Sequence, residues 1–238
     1  MKRLSVLLLA LVAIACGATA RERINFDKGW RFILADSAKM EMPEYNDSRW
    51  RGLNVPHDWA IEGDFSASAP SGNSGGALPG GVGWYRKTFT VDAADEGKQF
   101  YIDFDGVYMN AKVWINGTLL GQRPYGYSSF RYDLTPYLIY GGKNVVAVRV
   151  DNSDQPNSRW YSGCGIYRHV WLVKTEKIHV AHWGTYVVAE GNKVKVSVVV
   201  DNMTGKEEKI VVRNKVVDAS GKKVAEASKT VTLPSASP

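Results

Sequence analysis

Cysteine is nearly absent from this 238-residue chain, which holds only Cys16 and Cys164. Cys16 falls in an apolar leader, so the rest of the chain has Cys164 alone and cannot form an internal disulfide. A domain without disulfides in an oxidising compartment must hold together by burial. Cys164 stands between Gly163 and Gly165 with no histidine within a few residues, a setting for packing rather than nucleophilic chemistry. The histidines, His57, His169, His179 and His182, form no H-E-x-x-H pattern, so neither a metal nor any other cofactor is expected. The glycines from Gly72 to Gly83 lack the Lys-Ser/Thr of a phosphate loop. A strong charge of one sign is missing too. The formal net charge of +6 includes Lys2 and Arg3 of the leader, and the other basic residues are scattered. Nucleic acid is therefore not an expected partner.

Long apolar runs are absent apart from Leu4 to Ala15, which follows Lys2-Arg3 and precedes Ala18-Thr19-Ala20. Residues 1–20 read as a signal peptide cleaved before Arg21, and the run is too short for a permanent membrane span. Export to the periplasm or the cell exterior is expected. Ala13-Ile14-Ala15-Cys16 resembles a lipoprotein cleavage site, although Ala13 stands where leucine is usual. Lipid anchoring through Cys16 is the alternative.

Amphipathic helices are also missing, and what remains is β throughout. Phe100, Ile102 and Phe104 alternate with Tyr101, Asp103 and Asp105; Val146, Val148 and Val150 alternate with polar neighbours. Asn116-Gly117 between two apolar segments predicts a hairpin. Asp103 and Asp105 are expected on the solvated face of their strand. Residues 63–83, rich in Gly, Ser, Ala and Pro, predict a long loop that is either functional or an uncommitted excursion. All eight tryptophans lie at or before Trp183, whereas residues 184–238 are rich in Val and Lys with Tyr186 the only aromatic. Strands are predicted there over 193–200, 208–217 and 222–233. The fold class is all-β: an antiparallel jelly-roll sandwich over residues 21–175, then a partial immunoglobulin-like sandwich over 176–238.

The run from Pro156 to Leu172, Pro-Asn-Ser-Arg-Trp-Tyr-Ser-Gly-Cys-Gly-Ile-Tyr-Arg-His-Val-Trp-Leu, passes from an aromatic loop into an apolar strand. Together with Phe26-Asp27-Lys28-Gly29-Trp30-Arg31-Phe32, Val55-Pro56-His57-Asp58-Trp59 and Gly80 to Phe89, it resembles the N-terminal sugar-binding domain of glycoside hydrolase family 2. The bacterial β-galactosidases are the most similar members. The resemblance implies a galactose-binding-like jelly roll, an immunoglobulin-like domain and a (β/α)8 barrel that carries both catalytic glutamates of a retaining exo-glycosidase. The barrel signatures do not occur in these residues, and nothing pairs Glu62, Asp64, Asp103 or Asp105, so the chain alone is not expected to catalyse.

Sugar contacts are the remaining chemistry. Arg159 and Trp160 offer a fork of donors beside a flat apolar face, and the resemblance places Asn157, Arg159 and Trp160 on a loop lent to the terminal-sugar subsite. Asp58 and Trp59 have two readings, a carboxylate beside an aromatic platform or a turn in which Asp58 caps backbone N–H groups and Trp59 packs inward. Arg168 is expected to brace the fold through strand-end carbonyls or an aspartate. The sequence thus reads as the non-catalytic N-terminal portion of an exported β-galactosidase-like enzyme, with its carbohydrate and the absent barrel as partners. A stand-alone carbohydrate-binding module or adhesin is the alternative.

Overall fold

The computed structural model describes residues 21–235, so the expected signal peptide and Cys16 lie outside the described residues. Among the described residues the chain is almost wholly β, as its periodicities require, with single 3-10 turns as the only helical elements. One antiparallel sheet has four strands in the order β1 (Arg21–Asn25), β10 (Val170–Thr175), β5 (Gln99–Phe104) and β8 (Phe130–Asp133). The other has six, in the order β3 (Arg51–Leu53), β2 (Trp30–Leu34), β4 (Gly81–Thr90), β9 (Lys143–Asn152), β6 (Ala111–Ile115) and β7 (Thr118–Arg123). The β6–β7 hairpin turns at Asn116-Gly117, both with positive φ, as an Asn-Gly turn demands.

Period-two alternation builds the core between the sheets. Phe100, Ile102 and Phe104 of β5 meet Val146, Val148 and Val150 of β9, with Trp30, Phe32 and Tyr85 from β2 and β4. The opposite face of the six-stranded sheet carries a smaller cluster in which Trp84 stacks on Trp114 at 5.2 Å, and the strandless segment 35–50 adds Met40 and Trp50 to it. Arg86 secures that segment. Its buried guanidinium donates to Asp47 at 2.9 Å and to the carbonyls of Met40 and Met42 at 2.6 and 3.0 Å.

Two expectations change at this level. Asp103 is not solvated: it sits directly across from Arg131 in the β5–β8 register and accepts a bidentate pair at 2.6 and 2.8 Å. Asp105 stays partly exposed and accepts the indole N–H of Trp171 at 2.9 Å. Arg168 is exposed and lies over its neighbour Tyr167, so the bracing role expected of it belongs to Arg86.

Residues 178–233 form two antiparallel ribbons, β11 (Ile178–Glu190) with β12 (Lys193–Asn202) and β13 (Glu208–Val217) with β14 (Lys223–Leu233). Their valines alternate as predicted, yet Val199, Val211 and Val224 are exposed.

Candidate functional site

The four motif segments converge on one structural knot. Asp27 accepts the Val170 N–H at 2.9 Å and meets His169 Nδ1 at 2.7 Å, tying the first segment to the last. His57 N–H donates to Ile166 O at 2.8 Å, and Trp59 N–H to Cys164 O at 3.2 Å. The side chain of Asp58 completes the tie: Oδ1 accepts from Cys164 N at 2.9 Å and Ala60 N at 3.0 Å, while Oδ2 takes the Tyr161 hydroxyl. Trp59 is 3% exposed, stacks on Phe32 at 5.8 Å and donates to Gly80 O at 3.0 Å. Its indole is part of the core and offers no face to a ligand. Of the two readings of Asp58-Trp59, the turn is the observed geometry. Glycine at 83 follows, because a Cβ there would stand 2.7 Å from the Trp59 ring and 2.9 Å from Phe32.

Beneath the knot a polar chain runs from buried Tyr85 and His57 out to exposed Glu62 and Arg51. His57 Nδ1 meets the Tyr85 hydroxyl at 2.7 Å and Nε2 meets Glu62 at 3.3 Å, while Arg51 grips Glu62 through two 2.7 Å hydrogen bonds. Those Arg51 hydrogen bonds hold the Glu62 carboxyl down to about 2. Burial lowers the His57 pKa despite Glu62, and raises that of Tyr85. Burial also pushes the Cys164 thiol up to about 12, so this cysteine stays protonated and inert. Asp58, Glu62, Asp103 and Asp105 are each engaged by a hydrogen-bond donor, from Cys164, Arg51, Arg131 and Trp171 respectively.

The exposed side chains gather above this base. Trp160 is 59% exposed, and its indole donates to Tyr127 Oη at 3.0 Å. Tyr127 packs edge-on against Tyr125 and Tyr108 at 5.7 and 5.2 Å. Arg159 is exposed beside them, with no ion pair among the described residues. Asn157 works from below: its amide donates to Asn152 Oδ1 at 2.7 Å and to Asp154 O at 3.0 Å, shaping the loop that presents Arg159 and Trp160. The long loop folds back toward the same place, with buried Ser71 donating to Leu78 O at 2.7 Å and Gly76 against Tyr161. The cleft between this loop and Tyr161 to Cys164 holds only about 10 Å³, too little for a sugar ring. Tyr125 and Tyr127 escaped the sequence reading; their one signal was Tyr-Gly-Tyr inside a turn, and only the fold brings it to Trp160.

Residues 25–176 match the sugar-binding domain of glycosyl hydrolases family 2. The chain belongs to glycoside hydrolase family 2. It is 57% identical over 221 residues to the β-galactosidase BoGH2A of Bacteroides ovatus, covering 89% of this chain and 26% of that protein. A β-glucuronidase of Formosa agariphila is 31% identical over 92% of this chain and 25% of its own length. Among solved structures, a family 2 glycosyl hydrolase from Bacteroides cellulosilyticus superposes with a TM-score of 0.84 at 40% identity, over 89% of this chain and 28% of that one. The chain thus spans about a quarter of the length of these relatives. The sandwich with its motif knot is the family 2 sugar-binding fold.

Proposed function

We propose that this chain is the non-catalytic N-terminal portion of an exported retaining glycosidase acting on β-galactosides. Residues 21–175 are its sugar-binding sandwich, and residues 176–238 begin an immunoglobulin-like one. The observation that carries this reading is the exposed rim of Trp160, Arg159, Tyr127 and Tyr125 seated on the motif knot. An aromatic face beside a free guanidinium suits a sugar's C–H face and hydroxyls. The two carboxyl groups of retaining hydrolysis come from a catalytic barrel, against which the rim would close one side of the pocket. Identity of 57% to a β-galactosidase, against 50% to a putative β-glucuronidase and 31% to another β-glucuronidase, leans toward a galactoside. A second reading, an independent carbohydrate-binding module, has in its favour that the rim is assembled wholly from this chain's own residues.

The test is the native product, recovered with an antibody raised to residues 24–173. A species several times heavier than 26.3 kDa that hydrolyses aryl β-galactosides faster than aryl β-glucuronides is the expected result. In that species, Trp160→Ala should raise KM about tenfold, the loss of one aromatic contact. A native species of 26.3 kDa or less that holds galactose would overturn the enzyme reading and establish the binding module.

A further inference from the structure

Pairing of β11 with β12 breaks between Val180 and Thr185, whose partners are Val200 and Val198, so that Ala181 to Gly184 stand against Val199 alone. The bulge depends on Gly184, where a Cβ would lie 2.8 Å from Val199 O and 2.9 Å from Ala181 Cβ. At its tip Trp183 holds the left-handed backbone conformation, φ +54°, which a bulky side chain adopts only under constraint. The bulge does not use that strain to bury the indole. Trp183 is 77% exposed, with His182 stacked on it at 4.5 Å. A β-bulge that re-aims one side chain is a recurrent device beside binding sites.

The indole overhangs a cleft of about 270 Å³ whose floor is the outer face of the four-stranded sheet, including Arg21, Arg23, Asp103 and Arg131. These guanidinium groups are held in place. Arg131 is clamped by Asp103, Arg23 lies 3.7 Å over the Trp171 ring, and Arg21 donates to Val180 O. Their charges are unevenly matched. Arg21 has no carboxylate partner among the described residues, and Arg23 meets Asp105 only at 3.5 Å. The cleft therefore carries a positive surplus next to an unused aromatic face.

We propose that this cleft binds an oligosaccharide bearing carboxylate or sulfate groups, with Trp183 stacked on a sugar ring and Arg21 and Arg23 on the anion. It shares no lining residue with the Trp160 rim and does not rest on the glycosidase reading. The guanidinium fork pairs with two oxygens of a planar carboxylate or of a tetrahedral sulfate group, and its charge-assisted hydrogen bonds are the strong ones.

The experiment titrates the full chain with a galacturonate tetramer and a sulfated galactose tetramer, following tryptophan indole N–H signals by NMR. The neutral galactose tetramer and sodium sulfate are the controls. At least one charged tetramer should move the Trp183 signal saturably, and which one does so identifies the anion. Trp183→Ala should weaken that binding about tenfold, whereas Trp183→Phe, which keeps a ring, should stay within about threefold. Arg23→Gln should weaken it about fivefold, and Trp160→Ala should leave it unchanged. The proposal fails if neither charged tetramer binds, if the neutral tetramer or sulfate alone binds as well, or if Trp160→Ala removes the binding while a folded Trp183→Ala retains it.

Discussion

His57 carries the acid sensitivity of the knot. Burial disfavours its imidazolium, with Glu62 opposing, and the folded pKa lies below the ordinary 6.5. The stability this neutral imidazole contributes is fully present above pH 6.5. It is lost as pH falls through that value, because the unfolded chain takes up the proton first. His179, also lowered by burial, acts in the same direction. We expect the urea midpoint to drop between pH 7 and pH 5, and the His57 ring signals to stay in the neutral form past the point where a free imidazole has protonated. An NMR titration of His57 at or above 6.5 would refute this. Pro-His-Asp-Trp was legible as an important cluster, but the destination of each side chain was not. Asp58 and Trp59 are adjacent, and only the partners brought by residues 80 and 161–164 decide that one is a tie and the other core.

Strand β4 shows how one element serves two interiors. Tyr85 points into the sandwich, while Trp84 and Arg86 point to the other face, where segment 35–50 closes over them. That segment has no repeating hydrogen-bond ladder, so Arg86 supplies donors for its carbonyls and a counter-ion for Asp47. Arg86→Met should destabilise the chain by about 3–5 kcal/mol, the cost of leaving a buried charged group's partners unmatched. Arg86→Lys should recover less than half, because one ammonium cannot reach the carbonyls and Asp47 together. Urea unfolding read by tryptophan fluorescence measures both, and a loss below about 1 kcal/mol for Arg86→Met would show segment 35–50 to be held by Trp50 and Met40 instead. The strands themselves were readable from alternation and from Asn116-Gly117. Asp103 was misjudged because alternation reports the side a residue faces, and its partner Arg131 is 28 positions away.

The whole molecule divides its stability unevenly. Trp30, Ile102, Phe104, Val146 and Val148 are fully buried between the two sheets, whereas β13 is exposed along one face and only half-buried on the other, and β14 is exposed over most of its length. Local opening follows buried apolar contact. Amides of β5 and β9 should therefore exchange with solvent at least ~100-fold more slowly than those of β13 and β14 in native-state hydrogen exchange. Equal protection would mean that the ribbons fold as one unit with the sandwich. The sequence by itself determined the all-β class, the hairpin and the family, since alternation, turn chemistry and motif order are local properties of the chain. Only the tertiary structure decided that Asp58 and Trp59 tie the motifs together from within, while Arg159 and Trp160 of the last motif stay exposed. It alone brings Tyr125 and Tyr127 to Trp160, and lifts Trp183 over three arginines. Those relations join residues far apart in the chain, and burial and charge pairing exist only once the sheets have closed.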